Sequence, residues 1–243
     1  MKMRRSFIPS IFTILNMFSG FLAILQISQG RYITAVVLIM AAAVFDSLDG
    51  MVARLLHQQT DFGIEFDSLA DIVSFCVAPS LLVNTLFVSD IGFIGALISF
   101  FPLLFGGIRL ARFNLTATPE KKSYFTGLPV PVTAVTIGSY IWFSHSLFGN
   151  YGDPKIALPL VMVLSFMMVS NIRFISTIQI TFNNGRNNII KSLIIILSAA
   201  LIIIFRSYVI FPLMGMFIIS HLLAWIVGYE EPRISFSLRR KGK

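Results

Sequence analysis

Residues 46 to 71, DSLDGMVARLLHQQTDFGIEFDSLAD, place Asp46, Asp49, Asp67 and Asp71 in and between apolar segments of a chain that is 56% hydrophobic and only 12% charged. Ionisable groups inside a membrane are costly and mark functional positions by default. On a helix Asp46 and Asp49 are three residues apart, and Gly50 and Ala53 fall on the same face. Asp67 and Asp71, four residues apart, open the next apolar segment, with a short turn containing Gly63 expected before them. An antiparallel helix pair would bring the two pairs of acids together at one depth. Four carboxylates in a partly desolvated pocket repel one another, and divalent metal is the natural compensation. Hard oxygen donors favour Mg²⁺, Mn²⁺ or Ca²⁺ over zinc, because only His57, His145, His221 and Cys76 could supply softer ligands and they are scattered. One or two such ions can bridge phosphate oxygens and neutralise developing charge. Gly50 and Ala53 take bulk away from the acidic face, and Arg54 is a planar donor suited to phosphate. Small residues also mark plain helix contacts, and an arginine at a helix end can simply snorkel.

The elements that must position these acids are membrane helices. The mean hydropathy is +0.84, and the apolar runs are long enough to cross a hydrocarbon core of roughly 30 Å. Lipid cannot satisfy bare backbone, and the alternation a barrel requires is missing, so the chain reads as an all-α integral membrane protein. Eight spans are expected: 8–28, 32–54, 66–88, 92–113, 128–148, 155–174, 189–206 and 208–228. The first follows Lys2, Arg4 and Arg5 but is longer than a signal-peptide core and lacks a small-x-small cleavage site, so it is read as a span. A polar connector, 114–127, separates the fourth and fifth spans, and nothing resembles a linker between soluble domains, so residues 1–243 read as a single membrane domain ending in a basic tail, 229–243.

The net charge of +8 could suggest a nucleic-acid binder, but topology accounts for it. With both termini in the cytoplasm, all but Arg31, Lys155 and Arg206 of the 19 Lys+Arg lie on that side, as the positive-inside rule requires. The reading is therefore a cell-membrane protein with its acids at the cytoplasmic surface and no nucleic-acid partner. A cation transporter or channel would distribute acids through the membrane depth and over several segments, whereas here they cluster in two adjacent spans. The lone Cys76 reads as a small apolar core residue.

Asp46-x2-Asp49-Gly50-x2-Ala53-Arg54-x8-Gly63-x3-Asp67-x3-Asp71 resembles the signature of the CDP-alcohol phosphatidyltransferase family. The resemblance implies a six-helix catalytic core, covered here by residues 8–175, with 189–228 as two additional helices. It implies transfer of a phosphatidyl group from a CDP-linked lipid to an alcohol with release of CMP, supported by Mg²⁺ or Mn²⁺. Asp46, Asp49 and Asp67 would be metal ligands and Asp71 the general base and a further ligand. Gly50, Ala53, Arg54 and Gly63 would border the CDP moiety.

Three further stretches, PSIFTILNMFSG (9–20), RLARFN (109–114) and YFTGLPVP (124–131), resemble the phosphatidylserine-forming branch of that family, implying CDP-diacylglycerol and L-serine as substrates. Arg109 and Arg112 share one helix face and could pair with the serine carboxylate, although they could equally bind a phosphorylated alcohol or anchor the cytoplasmic helix end. Other acceptors, such as glycerol 3-phosphate, an inositol phosphate or choline, remain open at this point. Thr13 and Asn16 either line the nucleotide side or make an interhelical hydrogen bond. Gly127, Pro129 and Pro131 suggest a rigid turn before the fifth span. The last two spans carry no acid before Glu230, so they read as structural, with a homodimer contact as one use.

Overall fold

The computed structural model describes residues 10–56, 60–116, 124–175 and 207–227. Among the described residues it is an all-helical membrane protein apart from one short ribbon. Helix α1 spans Ile11–Ser28, α2 Tyr32–Leu56, α3 Asp61–Ile91, α4 Phe93–Leu115, α5 Val130–Phe148, α6 Pro154–Val169 and α7 Ser207–Ile226. Five of these, α1 to α4 and α7, are long and apolar enough to cross a membrane. The expected span at 189–206 lies outside the described residues.

Local chemistry sets the helix boundaries. Ser10 caps α1 by accepting from the Phe12 N–H, and Thr60 caps α3 by accepting from the Gly63 N–H at 3.0 Å. Gly63 therefore lies in the first turn of α3 and not in the preceding connection, a correction to the sequence expectation. α3 is not uniform. Its first eleven residues, Asp61–Asp71, are α-helical, and a wider π turn follows at Ile72–Val77. Pro79 supplies no N–H for the Phe75 carbonyl, and the Ala78 N–H reaches back five residues to Val73, which together loosen the helix just past Asp71. In α4, Pro102 likewise cannot donate to Ile98, and the helix is interrupted at Phe100.

α1 lies along α2 and also touches the start of α3; α5 packs on α2 and α7, and α4 on α6. α5 is largely buried: Thr133, Thr136, Ser139 and Ser144 are enclosed in it together with Ala134, Ile137 and Ile141. Neighbouring helices cover most of its length, so its hydroxyls are kept away from lipid. Thr133, Thr136 and Ser139 return their hydroxyls to carbonyls one turn back, as Thr136 does to Val132 at 2.7 Å, while Ser144 donates to the Asn150 side chain. By contrast Phe18, Phe21, Leu104, Met216 and Leu223 are exposed on the outer faces, the pattern expected where the solvent is hydrocarbon.

The sixth span ends earlier than its apolar run suggests. α6 stops at Val169, and Arg173–Ile175 (β2) pairs antiparallel with Tyr124–Thr126 (β1) from the connector. Gly127 joins that ribbon to α5 with φ +80°, and its N–H donates to the Ile172 carbonyl at 2.8 Å. A methyl group on Gly127 would collide with the Met168 carbonyl. Gly127→Ala is thus expected to destabilise the protein by about 1–3 kcal/mol through left-handed backbone strain and steric conflict together. A lowered Tm in detergent checks this, and an unchanged Tm contradicts it.

Candidate active site

Asp46 and Asp49 lie towards the end of α2, and Asp67 and Asp71 lie in the first turns of α3, the next helix in the chain; α1 packs against both. Asp46, Asp67 and Asp71 each offer a carboxylate oxygen, and these oxygens lie within 4.8 Å of one another. Asp71 is buried, and Asp46 and Asp67 are half-buried. Asp67 also has a buried oxygen, Oδ1, with no hydrogen-bond partner among the described residues. A compact set of hard oxygen donors that includes an unmatched carboxylate oxygen fits a divalent cation.

Asp49 stands beside this triad and not within it. Its Oδ2 accepts from the Thr13 hydroxyl at 2.7 Å, so α1 holds the fourth acid from the side. Asn16, one turn further along α1, is fully buried and donates through Nδ2 to Asp71 Oδ1 at 3.0 Å. The two α1 residues that the sequence associates with the nucleotide are thus both bonded to acids. Gly50 lies one helical turn past Asp46 and is half-buried. Ala53 and Arg54 occupy the end of α2, and their side chains lie outside the described residues.

The two arginines of α4 part company. Arg109 is close enough to Asp71 for the charges to interact, and its Nε is buried without a hydrogen-bond partner among the described residues. Arg112 reaches the other way, donating to the Val169 carbonyl at the end of α6 at 3.0 Å. A cation there opposes the negative end of the helix dipole and satisfies an orphan carbonyl. Asn114 completes the bracket, donating to Glu65 Oε2 at 3.2 Å and to Ser68 Oγ at 3.1 Å on α3. The end of α4 is thereby fastened to α3 on one side and α6 on the other. Sequence reasoning did not single out Ser74, whose hydroxyl donates to the Asn16 carbonyl at 2.9 Å. Its spacing of three from Asp71, on the same helix face, was the available signal.

Helices, buried acids and a basic side chain beside them define a class: a polytopic membrane protein with a carboxylate centre at one end of its helix bundle. Residues 6–167 match the model of the CDP-alcohol phosphatidyltransferase family. The chain belongs to that family. It is 34% identical over 221 residues, 90% of each chain, to a Helicobacter pylori protein named CDP-diacylglycerol–serine O-phosphatidyltransferase. A Bacillus subtilis protein of the same name is 34% identical over 169 residues, 70% of this chain and 90% of that one. An archaetidylserine synthase of Methanothermobacter thermautotrophicus is 39% identical over 169 residues, 69% of each chain.

The bond from Arg112 to Val169 generates an expectation of its own. Arg112→Ala should lower the stability of the bundle by about 1 kcal/mol, the typical net worth of a hydrogen bond. Thermal unfolding in detergent measures it. A variant with unchanged Tm but weakened binding of the alcohol substrate would instead make Arg112 a substrate ligand.

Proposed function

We propose that the protein transfers the phosphatidyl group of CDP-diacylglycerol to the hydroxyl of L-serine, giving phosphatidylserine and CMP. The observation that carries this reading is the convergence of Asp46, Asp67 and Asp71 in a chain whose relatives over most of its length are named for that reaction. Localisation is read from charge: a cell-membrane protein with its termini and acidic centre on the cytoplasmic side.

Phosphoryl-type transfer asks a protein chiefly for positioning and charge neutralisation. Asp46, Asp67 and Asp71 would hold Mg²⁺ or Mn²⁺, with Asp49 next to them under the control of Thr13. When bound, one or two such ions offset the negative charge of the pyrophosphate. Gly50, Ala53, Arg54 and Gly63 border the CDP moiety. Asp71 accepts the proton of the serine hydroxyl as the new O–P bond forms, while the bond from that phosphorus to the CMP oxygen breaks. Arg109 is the guanidinium next to Asp71 and pairs with the serine carboxylate, which draws the hydroxyl towards the base. Residues 8–175 would form the catalytic core, with α7 available for a homodimer contact.

The archaetidylserine synthase relative favours a second reading of the lipid, with an ether-linked CDP-lipid as donor. Purified protein should release CMP from CDP-diacylglycerol with L-serine and not with glycerol 3-phosphate, inositol phosphate or choline. Turnover of one of these in place of serine overturns the acceptor assignment, and faster turnover of the ether lipid reassigns the donor. Chelation with EDTA should abolish activity and added Mg²⁺ or Mn²⁺ restore it. Asp71→Asn should lower kcat by about 100-fold or more, the scale of a general base, while CDP-lipid binding persists. Arg109→Ala should raise KM for serine by about 10-fold or more, as expected for a lost charge-assisted bond, with a smaller change for CDP-diacylglycerol.

A further inference from the structure

We infer that Asn16 and Ser74, with Gly20 behind them, are positioning residues that aim Asp71, an inference that rests on the role of Asp71 proposed above. Asn16 is 0% exposed and so is Ser74, which places both inside the contact between α1 and α3. The Asn16 amide donates to Asp71 Oδ1, while its own Oδ1 is buried and has no partner among the described residues. Rotating the amide would set oxygen against carboxylate oxygen, so Asp71 selects this orientation.

A buried amide oxygen without a donor costs about 1–3 kcal/mol. An apolar side chain of the same branched shape would fill the site without that cost, so asparagine is not there for stability. What it provides is one directed N–H on one oxygen of Asp71, which restricts how the carboxylate can turn. Because no atom of Asn16 is open to solvent, it acts on the reaction through Asp71 and not by touching the nucleotide.

The backbone of Asn16 is held as well. Ser74 donates its hydroxyl to the Asn16 carbonyl, and one turn further along α1 any Cβ on Gly20 would run into the Ser74 hydroxyl and main chain. Asn16 and Gly20 are four apart on α1, and Asp71 and Ser74 three apart on α3, so the contacts stack along a single seam. The π turn begins at Ile72, between Asp71 and Ser74. The register of the acid against its serine clasp is therefore set by that widened turn and not by a regular helix. Misplacement of a reacting group by about 1 Å can cost about 100-fold in rate, so such a seam is worth the unmatched oxygen.

The test uses full-length protein in detergent, measuring kcat, KM for serine, Kd for CDP-diacylglycerol and Tm. Asn16→Leu and Asn16→Ala should lower kcat by about 10- to 100-fold, as a misdirected base would, with Kd for CDP-diacylglycerol within about threefold. Asn16→Leu should keep or raise Tm. Ser74→Ala, which removes a single hydroxyl, should lower kcat by about 3- to 10-fold and serves if the Asn16 variants do not fold. A raised Kd at unchanged kcat would make Asn16 a nucleotide contact and overturn the inference. So would a folded Ser74→Ala variant with full kcat. Asp71→Asn, measured in parallel, separates the two levels: an active Asp71→Asn overturns the role of Asp71 itself, whereas an inactive one beside fully active Asn16 and Ser74 variants overturns only the seam.

Discussion

Mutual repulsion of carboxylates in a poorly hydrated place is the constraint on which the remaining structure depends. Asp46, Asp67 and Asp71 bring oxygens within 4.8 Å of one another, in surroundings where charge is screened far less than in water. Left to themselves these side chains would separate. They are kept together by α2 and α3, which carry them, by Asn16 on α1, which donates to Asp71, and by Arg109 on α4 beside Asp71, while Thr13 on α1 holds the neighbouring Asp49. Four helices thus contribute to one small volume. The same repulsion suits the site to a divalent cation, which would relieve what the fold has imposed.

Holding such a centre requires helices that approach closely without help from a hydrophobic effect between them. The chain does this with small residues and hydroxyls on the inner faces. Gly20 admits Ser74, Gly106 admits Cys76 and Gly138 lies against Val36. The large side chains face outward in α1, α4 and α7, the reverse of a water-soluble bundle. Polar contacts then fasten the frame: Asn84 to Ser99 within the α3–α4 hairpin, Asn114 to α3, and Arg112 to the end of α6. At the end of the bundle away from the acids, Tyr151 stacks on His145 and meets Tyr32 edge to face, a composition suited to a membrane interface.

Much of this was legible in the sequence because membrane helices obey strong local rules. Long apolar runs located α1, α2, α4, α5 and α7 closely, since each is bounded by charged or capping residues. The boundaries that differed had local causes of another kind. Thr60 captured Gly63 into α3 by capping it. Arg173–Ile175 left the sixth apolar run to pair with Tyr124–Thr126, and a pairing between segments so distant in the chain leaves no trace in local periodicity. The π turn after Asp71 was likewise hidden, because Pro79 announces a missing hydrogen bond but not how the helix will absorb it.

By itself the sequence determined the solvent, the helical class, and the four aspartates with their spacing, because hydrophobic length and helix periodicity act on neighbouring residues. Tertiary structure alone decided how those residues are divided. Asp49 turns to Thr13 while the other three acids converge; Arg109 faces Asp71 while Arg112, on the same helix face by spacing, reaches the end of α6. Asn16, equally able by sequence to meet a ligand or a neighbour, is enclosed against Asp71. Each choice depends on which helix lies opposite at that depth, and the packing of distant segments sets that.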